Sequence, residues 1–216
     1  MSACQSSYWD RVAKEKRFSH PLRGDWITHR LSPDARILDC GCGYGRTLAE
    51  LHRAGYHALT GLDFSEGMLR RCQTEMPGIA VIRNDGQSLP LMTSSVDAVL
   101  LFAVLTCIPH DTDQRALLSE VERILRPNGL LYISDLLLND DQRNRERYEK
   151  YASQGTYGVF ALPEGVVVRH HTLDWIREIT MSFEQLEYEP FTVTTMNGNA
   201  SAAFQYLGRK ATGRLL

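Results

Sequence analysis

The chain has 216 residues, of which 43% are hydrophobic and 23% charged. That balance excludes a disordered chain and gives enough length for one substantial core, so a single domain over 1–216 is expected. A formal net charge of -2 and a sequence pI of about 6.4 argue against a large nucleic-acid footprint, which needs a basic excess.

Five cysteines are present: Cys4, Cys40, Cys42, Cys72 and Cys107. An odd, scattered set does not make a disulfide framework, and Cys40-Gly41-Cys42 is not a zinc spacing. Reduced thiols and no metal site are expected. Met1 to Asp10 holds no apolar run of the signal-peptide kind. The longest apolar stretch, Val96 to Ile108, is broken by Asp97, Thr106 and Cys107 and is too short to span a bilayer. A cytoplasmic protein without membrane association is the expectation. The first 36 residues lean basic, which reads as a solvated helix face.

Short apolar runs then alternate with amphipathic stretches, the pattern of βαβ units and a parallel sheet. Arg36 to Asp39 ends a buried strand, and a glycine-rich turn, Gly41 to Gly45, follows. Arg46 to Ala54 reads as a helix closed by Gly55. His57 to Asp63 is a second strand. Ser65 is the N-cap of a helix running to Met76, stopped by Pro77-Gly78. Ile79 to Ile82 is a third strand, ending at Asn84-Asp85-Gly86. Val96 to Ala103 is the most apolar strand and should lie at the sheet centre. Asp113 to Leu125 has helical apolar spacing, Pro127-Asn128-Gly129 is a turn, and Leu130 to Leu138 is the fifth strand. Residues 139–171 read as an insertion over the sheet edge, with a charged helix at 140–151. Thr172 to Met181 is helical. Phe183 to Thr195 and Ala202 to Lys210 are strands joined by the hairpin signal Asn197-Gly198-Asn199.

Four features fall at the C-terminal ends of successive strands, where open α/β sheets bind ligands. In Asp39-Cys40-Gly41-Cys42-Gly43-Tyr44-Gly45 the glycines let a ligand approach the backbone. A dinucleotide-type turn and a plain tight turn are the alternatives. Arg46 and the glycine spacing depart from the Gly-x-Gly-x-x-Gly fingerprint, and Asp39 suits a cationic ligand better than a phosphate. That disfavours a nicotinamide oxidoreductase. Asp63 can accept bonds from two ribose hydroxyls, or serve as a cap. Asp85 can accept a bond from an adenine amino group with Gly86 leaving room, or the pair is a turn. Phe102-Ala103 can pack on the ligand, or is core.

In ordered combination these pieces resemble the class I S-adenosylmethionine (SAM)-dependent methyltransferases of the small-molecule type. The resemblance runs from Arg36 to Leu138 and includes Gly61-Leu62-Asp63-Phe64-Ser65 and Leu125-Arg126-Pro127-Asn128-Gly129. Asn128 stands where glycine is usual, and Asn tolerates the left-handed backbone. The resemblance implies a Rossmann-like three-layer α/β sandwich around a mostly parallel seven-stranded sheet with an antiparallel last strand. It implies SAM as cofactor, S-adenosylhomocysteine as product, a small-molecule acceptor and a monomer or homodimer. Asp39, Gly41, Cys42, Gly43 and Gly45 would hold the methionine part. Asp63 would hold the ribose, Phe64 and Met68 would flank the adenine, and Asp85 with Gly86 would read its amino group. Phe102 or Ala103 would line the sulfonium end.

The N-terminal segment 1–34 would form a helical lid, with Tyr8 and Trp9 either facing the acceptor or packing a helix onto the sheet. The insertion 139–171 would lie near the acceptor site. Tyr157 and Arg169 are further acceptor candidates, and His110, Tyr157 and His170 are candidate catalytic groups, with a loop or helix-start residue before Asp111 the alternative for His110. His170 and His171, if on a strand, point to opposite faces, so at most one enters a pocket. No Asn-Pro-Pro-Tyr tetrapeptide follows Ala103, which argues against a methylase of DNA bases or glutamine. A non-catalytic SAM-binding partner or sensor, and an RNA methyltransferase, are the alternatives.

Overall fold

A computed structural model describes residues 3–84, 88–153 and 155–211. Its strands are β1 (Ile37–Cys40), β2 (Leu59–Asp63), β3 (Ala80–Arg83), β4 (Val96–Phe102), β5 (Leu125–Leu136), β6 (Val159–Ala161), β7 (Val167–Arg169), β8 (Phe183–Thr194) and β9 (Ala200–Lys210). Its helices are α1 (Ala3–Val12), α2 (Gly24–Thr28), α3 (Arg46–Arg53), α4 (Glu66–Glu75), α5 (Asp111–Ile124), α6 (Gln142–Ala152) and α7 (Leu173–Ile179).

Seven strands form one sheet in the order β3-β2-β1-β4-β5-β9-β8. β1 pairs parallel with β2 and β4, and β4 parallel with β5. β9 runs antiparallel to both β5 and β8. This is the expected α/β architecture, with β4 at the centre and almost wholly buried. Strand order reverses beside β1, so a crevice opens past the ends of β1 and β4. Leu38, Leu101, Leu131 and Ile133 pack with α5 and α7 on one face. Leu48, Leu100, Tyr132 and Leu207 pack with Trp26 and Ile27 on the other. Each such side chain contributes roughly 1.5–3 kcal/mol by leaving water.

The local signals explain most boundaries. Ser65 caps α4 by accepting from the Met68 N–H at 3.1 Å. Asn128 adopts φ +64 in the irregularly paired stretch of β5 between Leu125 and Leu130, at the position where glycine is usual. Three elements differ from the sequence reading. α5 starts at Asp111, where Asp111 and Asp113 complement the helix dipole in the first turn. The insertion holds a short antiparallel pair, β6–β7, whose three-residue strands are too brief to show alternation in sequence. The N-terminal segment divides. α2 buries Trp26 and Ile27 beneath the sheet, with Trp26 5.3 Å from the Tyr132 ring, while the part before it crosses the crevice.

α1 is fastened to α4 by one carboxylate. Asp10 accepts from the Ser65 hydroxyl at 2.6 Å and the Gly67 N–H at 2.8 Å. Gly67 permits the approach, because a Cβ there would lie 3.0 Å from the Asp10 carbonyl oxygen. Asp10→Ala should lower stability by about 1 kcal/mol, the usual cost of a lost helix-terminal acceptor, read from the urea midpoint. An unchanged midpoint would show that α1 is held by apolar packing alone.

Candidate active site

The crevice is the mouth of a large cleft, enclosing about 1670 Å³ with its open mouth included. Its two ends differ in chemistry.

At one end, the turn after β1 takes three left-handed glycines, Gly41 (φ +80), Gly43 (φ +53) and Gly45 (φ +84). A Cβ on Gly41 would lie 2.5 Å from a Val104 methyl, and one on Gly43 would lie 2.1 Å from a carbon of the Phe18 ring. Gly41 and Cys42 line the cleft; Gly43 and Gly45 instead shape the turn that presents them. The Gly43 N–H donates to Asp63 Oδ2 at 2.9 Å, and Ser65 N–H to Asp63 Oδ1 at 2.8 Å. Burial pushes Asp63 up to about 6, against the pull of those N–H groups. Asp39 is 1% exposed, and its Oδ1 has no hydrogen-bond partner. Burial pushes its pKa up to about 7, opposed by the Arg46 guanidinium and reinforced by Asp63. A buried carboxylate oxygen without a donor is costly, and a bound cationic donor would relieve it. Phe64, Met68, Phe102 and Ala103 also line this end. Asp85 and Gly86 lie outside the described residues. The donor set fits SAM: an unpartnered carboxylate for its ammonium, backbone opened by glycine, and apolar and aromatic walls. Among the described residues, no group of three or more His, Cys, Asp or Glu could hold a metal ion.

The other end is walled by Cys107, Ile108, Leu136, Phe160, Leu162 and Val166. Tyr8 and Trp9 of α1 also line the cleft, with Trp9 packed beside Phe18 and Met68. His170 also lines the cleft, and the neighbouring His171 does not. His170 Nδ1 lies 2.6 Å from the Tyr148 hydroxyl and 3.3 Å from the Asn139 amide nitrogen. Both neighbours can donate, which assigns Nδ1 as acceptor and leaves the proton on Nε2. Burial pushes His170 down to about 3, so the ring is neutral. His171 is locked elsewhere, between the Leu136 carbonyl and Gln114.

Three candidates are displaced. His110 is exposed at the N-cap of α5, outside the cleft, because the chain turns there from the β4 end into the helix. Tyr157 is 46% exposed and stacks edge-on against the outside of Tyr148. Arg169 faces away from the cleft, onto Asp111 at 2.5 Å and over the Trp175 ring at 4.7 Å. Sequence reasoning also missed wall residues. Phe18, Ser19 and His20 come from the segment after α1, and Arg143 and Arg147 from α6. His20 Nδ1 lies 2.9 Å from the Ser134 hydroxyl, and burial lowers its pKa to about 4. The segment is held by long-range bonds: Lys16 to Asn197, Ser19 to the Thr194 carbonyl, and Gln205 to the Pro21 carbonyl.

Residues 38–133 match the family model described as a methyltransferase domain. A phthiotriol/phenolphthiotriol dimycocerosates methyltransferase of Mycobacterium ulcerans is 36% identical over 112 residues, 50% of this chain and 40% of that protein. Its counterpart in Mycobacterium leprae is 38% identical over 104 residues, 47% of this chain and 37% of that protein. The chain thus spans less than half the length of these relatives. A SAM-dependent methyltransferase structure from Methanosarcina mazei superposes with a TM-score of 0.81 at 26% identity, covering 87% of this chain and 98% of that one. One from Mesorhizobium loti, at 22% identity and TM-score 0.63 over 86% and 96%, shares the fold. Residues 38–133 thus match a methyltransferase domain, and motif, sheet order and these likenesses together support a class I SAM-dependent methyltransferase.

Proposed function

We propose that this chain transfers the methyl group of SAM to a small molecule with an apolar body, releasing S-adenosylhomocysteine. The observation that carries the reading is the continuity of the cleft. The Asp39 and Gly41 end runs directly into a chamber walled by Ile108, Leu136, Phe160 and Leu162. A chamber of that lining suits an apolar small molecule better than RNA, whose recognition needs cations along a phosphate track. The mycobacterial relatives, named for phthiotriol and phenolphthiotriol dimycocerosates, point the same way.

When bound, SAM supplies a methyl on a positively charged sulfur. Asp39 Oδ1 would take the ammonium, Asp63 the ribose hydroxyls through its remaining lone pairs, and Phe64 with Met68 the adenine faces. Tyr8, Trp9 and Phe18 would close over the site and exclude water, which strengthens every charge interaction inside. The chain's contribution to rate is then chiefly positioning of the acceptor at the Phe102–Ala103 wall. His170 and His20 enter as neutral hydrogen-bonding rings rather than as charges.

Calorimetric titration with SAM, S-adenosylhomocysteine and NAD tests the binding half. Both adenosyl ligands should bind and NAD should not, and turnover on an acceptor panel separates an enzyme from a sensor. Asp63→Ala should weaken SAM binding by roughly 1–3 kcal/mol, the cost of unmatched polar partners. Unchanged affinity would remove Asp63 from the site.

The pH dependence follows from Asp39. Its ionised form attracts the ammonium and its protonated form does not. In the free protein its pKa is held at about 7 by burial, so SAM affinity should be highest near about pH 8, above which the ligand's own ammonium begins to lose its proton. It should fall by up to about tenfold per unit below about pH 7, as the site must lose a proton to bind. Asp39→Asn should bind weakly at every pH and flatten that profile. A wild-type profile flat from about pH 5 to 8 would show that Asp39 does not meet the ammonium.

A further inference from the structure

Arg143 and Arg147 stand one helical turn apart on α6, and both line the acceptor end of the cleft. Like charges at that spacing repel each other. Arg143 reaches Asp141 only at 3.9 Å, and Asp141 already caps α6 through the Asn144 N–H at 3.1 Å. Arg147 is partly buried. Its guanidinium carbon sits 3.7 Å above the Phe160 ring centre, and its buried Nε has no hydrogen-bond partner. Among the described residues, no carboxylate lies within ion-pair distance of it. The acidic side chains on the cleft wall, Asp39 and Asp63, belong to the cofactor end.

The cleft is therefore bipolar. Carboxylates mark the end suited to a cationic cofactor, and two arginines without a strong counter-ion mark the end suited to the acceptor. A solvated helix face accounts for the exposed Arg143, but not for a guanidinium pressed onto an aromatic ring with an orphaned nitrogen. Partial burial of an unpaired charge is costly, and an anion restores the balance. The planar guanidinium fork matches carboxylate and phosphate oxygens in geometry. We propose that the acceptor carries an anionic group, a carboxylate or a phosphate, which docks on Arg147 with Arg143 beside it, while its apolar body fills the chamber of Phe160, Leu162 and Val166. The inference rests on the reading of this cleft as a methyl-transfer site and adds the class of its second substrate.

The test uses protein loaded with S-adenosylhomocysteine, titrated with decanoate, decyl phosphate and decanol. These share one alkyl chain and differ in head group. At least one anion should bind about tenfold or more tighter than decanol. The tighter of the two assigns carboxylate or phosphate. Arg147→Gln should abolish the preference while leaving decanol and S-adenosylhomocysteine affinities at wild-type values. Arg143→Gln, at an exposed position that the fold tolerates, should reduce the preference about threefold through its more distant charge. Equal binding of all three compounds, absence of binding by both anions, or a preference unchanged in both variants overturns the proposal. Failure of the wild type to take S-adenosylhomocysteine is read first, and overturns the methyl-transfer reading itself.

Discussion

The cleft depends on one carboxylate that holds two backbone N–H groups. In the glycine turn after β1 the Leu62 carbonyl of β2 takes the Gly41 and Cys42 N–H groups but not that of Gly43, and buried donors must be satisfied. Asp63 serves the Gly43 N–H with one oxygen and the Ser65 N–H with the other. Ser65 in turn caps α4 and donates to Asp10 on α1. The cofactor turn, the second strand end and the N-terminal helix are thus one hydrogen-bonded unit. The same residue can both build the turn and meet a ligand, because each carboxylate oxygen has two lone pairs and the backbone takes one.

That unit was legible in the sequence because its causes are local. A strand ending in Asp, a serine N-cap and glycines at alternate positions each announce their own conformation. Asn128 belongs with them, since its left-handed φ follows from residue type. The acceptor end was less legible because long-range packing decides it. Arg169 looked like a substrate ligand until Asp111 and Trp175, distant in sequence, claimed its guanidinium. His20 was invisible for the converse reason. It lies in a stretch without regular structure, placed only by bonds to the β8–β9 hairpin and to Ser134. Arg147 sat in a helix that the sequence marked only as charged, and the position of Phe160 reveals which side is covered.

Buried imidazoles sharpen the polarity of the cleft. Desolvation lowers His20 to about 4 and His170 to about 3, so neither carries charge at neutral pH. The wall's cations are then arginines, which keep their charge where histidines lose it. Arg46 sits beside Asp39 at the cofactor end, and Arg143 with Arg147 marks the far end.

The junction of the two ends is itself strained. Ala103 adopts φ +54, a conformation that costs a non-glycine residue roughly 1–3 kcal/mol. Its N–H donates to the Ser134 carbonyl at 2.8 Å, so β5 holds the strained turn in place. The turn sets Val104 against Gly41, where a methyl occupies the space that a Cβ on residue 41 would need. The absent side chain on β1's turn and the bent backbone at β4's end are therefore complementary. Ala103 is small enough to adopt the turn, Gly41 is small enough to receive it, and the wall where the two ligands would meet is fixed by that fit.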